Sequence, residues 1–146
     1  EELKNSMKTS QTLEEIKNYI RMLLKKIIGV RDTISGRRYS DIIEIAKDQI
    51  RKTYMSDEIS LNTIAAEVGM SPSYFSSIFS KEMGKTFVEY LTEIRMDRAK
   101  ELLMCSSMKT SEIGYEVGYK DPHYFSYIFK KTQNCTPKEF RARGKE

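Results

Sequence analysis

The residue types that carry out catalysis are few in this chain and lie far apart. Its 146 residues include one histidine, His123, and two cysteines, Cys105 and Cys135. A nucleophile needs a base beside it and a zinc site needs several closely spaced ligands, and the sequence offers neither pattern. It also has no glycine-rich phosphate loop. We therefore predict no catalytic residue, no metal site and no cofactor, and an enzyme is the weakest hypothesis for the function.

Two stretches of the sequence carry the same order of residue types. Residues 64–90 read IAAEVGMSPSYFSSIFSKEMGKTFVEY, and residues 113–140 read IGYEVGYKDPHYFSYIFKKTQNCTPKEF. The Val-Gly pair at 68–69 matches the pair at 117–118, and the second turn is one residue longer than the first. Each copy predicts a short helix, a glycine turn and a second helix that begins with proline. That order is typical of a helix-turn-helix.

The rest of the chain is also predicted to be helical, with no alternating strand pattern. Serine or aspartate before proline marks a helix start, and glycine after an apolar turn marks a helix end. The predicted helices cover residues 41–54, 61–68, 72–83, 87–105, about 110–117, about 122–132 and 137–143. We therefore expect an all-α fold with two helix-turn-helix subdomains, joined by the long helix 87–105 and preceded by an N-terminal amphipathic helix.

The N-terminal segment has a pattern of its own. Apolar residues at steps of three and four form a heptad seam, made of Leu13, Ile16, Ile20, Leu23 and Ile27. Two heptads leave two interpretations open, packing on the chain's own domain and self-dimerisation through a coiled coil. Residues 29–40 are glycine-containing, charged and without periodicity, so we predict a linker with a boundary near Gly36. We divide the chain into residues 1–38, a helical linker or dimerisation helix, and residues 39–146.

Charge and composition place further bounds on the function. Residues 1–39 hold nine Lys and Arg against five Asp and Glu, which accounts for the whole formal charge of +4. Residues 40–146 hold 16 basic and 16 acidic residues and so have no net charge. If this part of the chain binds nucleic acid, its basic and acidic residues must lie on different faces. The longest apolar run, residues 22–28, is broken by two lysines, so we predict no membrane span. Two isolated cysteines indicate reduced thiols and a cytoplasmic location. The chain begins without Met, and we expect a piece of a longer protein.

The residues from about Tyr39 to Gly144 resemble the AraC/XylS family of bacterial transcription regulators. The blocks that carry the resemblance are SLNTIAAEVGMSPSYFSSIFSKEMGKTFVEYL, the linker helix EIRMDRAKELL and IGYEVGYKDPHYFSYIFKKTQNCTPKEFR. The helical N-terminal extension resembles the segment that joins a receiver domain to this module in YesN-like response regulators. The resemblance implies a regulator that places two recognition helices, about residues 72–83 and 122–132, in successive major-groove segments about one DNA turn apart, roughly 34 Å.

The resemblance also implies which side chains face the bases. On the first recognition helix they are Ser73, Ser76 and Ser77, and on the second they are Pro122, His123, Ser126 and Tyr127. Helical spacing agrees, because the aromatic residues between these positions fall on the opposite face. Many family members carry arginine at the positions of Ser77 and Tyr127, where it would contact guanine. Serine discriminates poorly between bases, so we expect modest intrinsic specificity and more weight on DNA shape and dimerisation.

Lysines late in the two recognition helices are the candidates for phosphate contact. They are Lys81, Lys130 and Lys131, with Lys85 and Lys120 as weaker candidates. The alternative for any one of them is a solvated charge, and for His123 it is an exposed helix residue without a contact. We expect Tyr74 and Tyr124 to pack at the joint between helices rather than to stack on bases. We expect Arg95 and Arg98 to form ion pairs inside the module rather than to contact DNA.

These expectations lead to one function and leave three alternatives. The leading hypothesis is a sequence-specific transcription regulator, the output domain of a two-component response regulator, with double-stranded DNA, RNA polymerase and a second copy of the chain as partners. A stand-alone AraC-type activator without a sensor is the nearest alternative. A protein-interaction module of repeated helical hairpins is a different class, and steep loss of DNA affinity with salt would exclude it. An enzyme is the last.

Overall fold

The computed structural model describes residues 2–144, with side chains described for residues 14, 16–18, 20–26 and 39–144. These residues form the helices α1 (Glu2–Thr53), α2 (Leu61–Glu67), α3 (Pro72–Met83), α4 (Phe87–Cys105), α5 (Thr110–Glu116), α6 (Pro122–Gln133) and α7 (Pro137–Arg143). No strand occurs among residues 2–144, which confirms the predicted all-α class. None of the described helices is both long and apolar enough to cross a lipid bilayer.

Helix α1 is continuous over its whole length. The linker predicted at residues 29–40, with its boundary near Gly36, is therefore wrong in its secondary structure. A glycine inside a helix costs only about 1 kcal/mol relative to alanine, and helix on both sides propagates through such a position. The chain divides into two compact units, Glu1–Asp41 and Ile42–Glu146. The role assigned to residues 1–38 stays a prediction.

The second unit begins with the last turns of α1. Ile43, Ala46 and Ile50 are buried there, on the face that their spacing of three and four residues predicts. The helix ends at Thr53, whose hydroxyl donates to the carbonyl of Gln49 at 2.7 Å. These turns lead directly into the first helix-turn-helix.

Helices α2 and α3 form the first helix-turn-helix. The hydroxyl of Ser60 accepts a backbone hydrogen bond at the start of α2, and Ser71 does the same for α3 before the proline at its first position. Between them Gly69 turns the chain at φ +69°, a left-handed conformation that glycine adopts without steric cost. The inward face of α3 buries Phe75, Ile78 and Phe79. Each of these local predictions is confirmed.

Helices α5 and α6 form the second helix-turn-helix. The capping residue of α5 is Lys109, one residue before the cap predicted at residues 110–111. The Lys109 N–H donates to the Glu112 carboxylate at 2.6 Å. Gly114 lies against Phe125, because a Cβ at Gly114 would stand only 3.1 Å from that ring. The close approach of α5 and α6 therefore leaves little room for a side chain at Gly114. Asp121 caps α6 through its carboxylate.

Helix α4 contributes to both cores. Near its start, Phe87 and Tyr90 meet the ring of Phe79 edge-on, with centroids 6.3 and 5.6 Å away. Further along, α4 buries a second set of side chains in the core of α5 and α6, namely Met96, Ala99 and Leu103. One helix thus holds the two helix-turn-helix subdomains together, as the predicted long joining helix requires.

The same capping arrangement follows each recognition helix. Thr86 before α4 and Thr136 before α7 each donate a backbone N–H to a glutamate three residues on, Glu89 and Glu139, at 2.7 Å. These hydrogen bonds lower the pKa of Glu89 and of Glu139 from the ordinary value, with the backbone donor as the largest cause. Each threonine hydroxyl accepts from its glutamate's N–H in return, which completes a capping box.

Candidate nucleic-acid interface

The outward face of α3 is built from serine side chains. Ser73 and Ser77 are exposed and Ser76 is half-buried, while Phe75, Ile78 and Phe79 point into the core. Within the part of the chain that the structure describes, no group hydrogen-bonds the hydroxyls of these three serines. The structure therefore brings together the three predicted residues on one surface, where hydroxyls can donate to or accept from a base.

The outward face of α6 has the same geometry and a different chemistry. His123 and Tyr127 are exposed, and Pro122 and Ser126 are half-buried. The Ser126 hydroxyl donates to the carbonyl of Pro122 at 2.9 Å, and the His123 N–H donates to the Asp121 carboxylate at 2.8 Å. All four predicted base-facing residues of α6 thus lie at its surface, with the Ser126 hydroxyl engaged within its own helix.

Tyr74 and Tyr124, which directly precede the buried phenylalanines of α3 and α6, are only partly buried. Tyr74 is 48% exposed and Tyr124 is 53% exposed, so about half of each side chain that is predicted to pack at a helix joint stays accessible to solvent. The ring of Tyr124 is tilted against Tyr119 at 6.0 Å and stacks with Tyr127 at 6.4 Å. A position one residue before a buried phenylalanine lies about 100° around the helix, at the edge of the outward face.

The candidate phosphate lysines fall into two groups. Lys81, Lys130 and Lys131 are exposed in the last turns of α3 and α6. By contrast, the Lys85 ammonium pairs with Glu93 at 2.7 Å and the Lys120 ammonium pairs with Asp57 at 2.9 Å. The pair lowers the pKa of Asp57 and raises the pKa of Lys120. A phosphate would have to compete with these carboxylates for the second group.

Arg95 of α4 has partners that the sequence did not reveal. It is 9% exposed; its Nε donates to the carbonyl of Tyr54 at 2.8 Å and its Nη2 donates to the carbonyl of Ser56 at 2.9 Å. The guanidinium also lies over the Tyr119 ring, 5.0 Å from the centroid. Arg95 is internal as predicted, but its direct partners are carbonyls and a ring rather than a carboxylate. Arg98 does form the predicted ion pair, with Glu101 at 2.8 Å.

Arg95 joins three parts of the module at one point. The two carbonyls belong to the segment after α1, and the Tyr119 ring belongs to the turn before α6. Gly118 in that turn has φ +95°, and a Cβ there would lie 2.7 Å from Arg95 Nη2 and 2.8 Å from the Tyr54 carbonyl. Burial lowers the pKa of Arg95, and burial raises the pKa of the Tyr119 phenol. The turn of the second helix-turn-helix is thereby fixed against α4 and the end of α1.

Among the side chains that the structure describes, those of residues 14, 16–18, 20–26 and 39–144, no three or more His, Cys, Asp or Glu groups are placed to hold a metal ion. Cys105 is exposed and Cys135 is buried, and both are free thiols. The groups that the structure places on its outward faces are hydroxyls, an imidazole, aromatic rings and ammonium groups. These groups suit hydrogen bonding to bases and ion pairing with phosphates.

Comparison with known proteins agrees with this arrangement. Residues 64–143 match the family model described as a helix-turn-helix domain. A transcriptional regulator of Pseudoalteromonas carrageenovora is 36% identical over 100 residues, which cover 68% of this chain and 58% of the relative. The chain spans less than two thirds of the length of the curated relatives it matches.

Two solved structures are also similar. The C-terminal domain of AraT, a response regulator from Geobacillus stearothermophilus, is 35% identical, with a TM-score of 0.68 and coverage of 70% of this chain and 84% of that chain. The C-terminal domain of the two-component response regulator yesN from Fusobacterium nucleatum is 35% identical, with a TM-score of 0.66 and coverage of 67% and 95%. The chain therefore belongs to the AraC-type family of helix-turn-helix DNA-binding transcription regulators.

Proposed function

We propose that α3 and α6 enter two successive major-groove segments of one DNA duplex and read its sequence there. The observation that carries the proposal is the repeated outward face: each recognition helix has a capped, proline-started N-terminus, a buried aromatic inner face and a polar or aromatic outer face. Because α4 is packed into both cores, the two faces keep a fixed separation. That arrangement suits a duplex whose major groove returns to the same side after about one helical turn.

Phosphate contacts then come from Lys81, Lys130 and Lys131, because no described carboxylate forms an ion pair with any of them. Lys85 and Lys120 contribute less, since each would have to leave a carboxylate. The base-facing groups are Ser73, Ser76 and Ser77 on α3 and His123, Ser126 and Tyr127 on α6. Ser126 contributes mainly through its half-buried surface while its hydroxyl stays bonded to Pro122.

The experiment selects bound duplexes from a random DNA pool and measures the affinity of the winners at several salt concentrations. Two short motifs separated by about one helical turn, with affinity that falls steeply with salt, are the expected result. Lys131→Ala should reduce the slope of log affinity against log salt by about one unit and weaken all sequences alike. Lys120→Ala is the matched control and should change the slope less. An unselective pool, or no binding, would contradict the proposal.

We further infer that the chain is the output domain of a response regulator. The two solved domains described above are C-terminal domains of response regulators, and each matches about two thirds of the length of this chain. The test uses the full-length protein: treatment with a small phosphoryl donor should increase DNA affinity. A full-length protein without a receiver domain would favour the alternative, a stand-alone activator without a sensor.

A second copy of the chain is the proposed partner of α1. Ile16, Ile20 and Leu23 are exposed on this helix at the a and d spacing, while the side chains of the other two seam residues, Leu13 and Ile27, lie outside the described part. Sedimentation of the chain and of Ile20→Lys tests the pairing. A dimer that Ile20→Lys converts to a monomer is expected, and a monomer at high concentration in both would contradict it.

A further inference from the structure

The two recognition helices offer different chemical groups to the groove. The face of α3 presents serine hydroxyls, which hydrogen-bond base edges. On α6 the corresponding central hydroxyl, that of Ser126, is already donated to the Pro122 carbonyl. What remains at the centre of that face is the ring of Tyr127, which is 58% exposed, beside the half-exposed ring of Tyr124. The outward face of α6 therefore carries an aromatic ring, Tyr127, at the position where the outward face of α3 carries a hydroxyl, that of Ser77.

The exposed rings are held in place from the core outward. Tyr119 is buried, with its ring 5.7 Å from Phe125 and under the Arg95 guanidinium. Tyr124 is tilted by 59° against Tyr119 at 6.0 Å, and Tyr127 lies nearly parallel to Tyr124, at 29° and 6.4 Å. Ring pairs at these separations attract each other beyond the effect of burial. The contact with Tyr124 thus restricts the Tyr127 ring before it meets any ligand, which reduces the entropy lost on binding.

We propose that the Tyr124–Tyr127 pair reads thymine through its 5-methyl group in the half-site that α6 occupies. Thymine is the base that presents an apolar group in the major groove, and apolar side chains recognise it there. An aromatic surface on the outward face of α6 matches that group, whereas a serine face does not. This inference rests on the proposed function, since it requires α6 to lie in a major groove.

The size of the effect follows from the area of one methyl group. Removing a buried methyl loses about 0.8 kcal/mol, which converts to about fourfold in affinity with RT of about 0.59 kcal/mol. Replacing a contacted thymine by uracil removes the methyl and leaves base pairing unchanged. We therefore expect about fourfold weaker binding for each such replacement in the α6 half-site, and a much smaller change in the α3 half-site.

The experiment combines DNA and protein variants on the selected duplex, with the α6 half-site assigned as the one whose base preference changes in His123→Ala. Uracil replaces thymine in one half-site at a time, and the affinity is measured for the unaltered chain, Tyr127→Ala and Tyr127→Phe. The uracil penalty should persist in Tyr127→Phe, which keeps the ring, and disappear in Tyr127→Ala. Ser77→Ala, at the matching position of α3, is the control and should leave the α6 penalty in place.

Several outcomes would overturn the inference while leaving the proposed function intact. They are an α6 half-site without thymine, no uracil penalty in the unaltered chain, or a penalty that survives in Tyr127→Ala. Equal losses in Tyr127→Phe and Tyr127→Ala without a uracil effect would assign the contact to the phenol hydroxyl, which suits a phosphate rather than a methyl group. Absence of any selected duplex would instead refute the proposed function itself.

Discussion

Replacing Arg95 by alanine should cost the second unit about 3.5–4 kcal/mol of unfolding free energy. Hydrogen bonds from a charged donor contribute about 1.5–3 kcal/mol each, and Arg95 makes two of them, to the carbonyls of Tyr54 and Ser56. We use the lower value, about 1.5 kcal/mol, for each of these two hydrogen bonds, because water can hydrogen-bond the carbonyls once the side chain is gone. Loss of the contact with the Tyr119 ring adds about 0.5–1 kcal/mol.

Arg98→Ala is the matched control, since it makes the same change one turn along the same helix. Arg98 pairs with Glu101 in an exposed i,i+3 arrangement, and solvent screening keeps the contribution of such a pair to stability small. Arg95→Lys is a third variant: it keeps the positive charge but cannot reproduce the planar, two-nitrogen donation. We expect it to recover only part of the loss, which would separate the geometry of the guanidinium from its charge.

The assay is urea unfolding followed by the near-ultraviolet circular dichroism of the tyrosines, of which the chain has nine, with no tryptophan. Urea leaves the ionic strength unchanged, so the ion-pair control is not screened. A lower midpoint at constant slope reports a change in stability rather than in the compactness of the unfolded state. If Arg95→Ala cost no more than Arg98→Ala, the three-way contact around Arg95 would have no energetic importance and the reasoning would be refuted.

Other changes test the turns and the helix caps. Gly118→Ala should destabilise the fold by more than about 2 kcal/mol, because its Cβ would collide with Arg95 and the Tyr54 carbonyl in addition to the left-handed strain. Gly69→Ala has open space around it and should cost only the left-handed strain, about 1–2 kcal/mol; equal midpoints in urea would contradict this. Since the pKa of Glu89 and that of Glu139 are lowered in the folded state, their contribution to stability is present above the ordinary pKa of 4.5 and is lost as pH falls through the lowered values. Glu89→Gln with Glu139→Gln should therefore flatten the acid loss of unfolding free energy, and an unchanged acid profile would show that the boxes do not contribute.

The helices of the second unit could be predicted from the sequence because their ends are encoded locally. The caps before α3 and α6, and the glycines after α2 and α3, are short-range signals that act within three or four residues. The predicted bounds of α3, α4 and α7 agree with the structure. The inward aromatic residues of α3 and α6 were likewise recognisable, because helical spacing alone separates them from the outward serines.

The predictions that differ from the structure concern features that depend on residues distant in the sequence or on helix propagation from both sides. The residues around Gly36 read as a linker because glycine and charge break the apolar pattern, yet the helix continues through them. The partners of Arg95 lie about forty residues earlier in the chain, and they are backbone carbonyls, which leave no mark in a sequence. Tyr124 is predicted to pack at the joint between helices and does contact Tyr119, but one helical step from Phe125 carries its side chain about 100° around the axis and leaves about half of it exposed.

Because α4 packs into both cores, its length determines how the second helix-turn-helix is rotated relative to the first. Each residue added to an α-helix advances the chain by 1.5 Å and turns it by about 100°. One residue inserted between Tyr90 and Met96 would therefore rotate the second core around the axis of α4 and point α6 away from the side of the duplex that we propose α3 to contact. The turns tolerate such changes, since the turn before α6 is one residue longer than the turn before α3. Differences in length among family members should therefore occur in the turns. The length of α4 should change only by about seven residues, two full turns, which would increase the distance between the two recognition helices by about 10 Å.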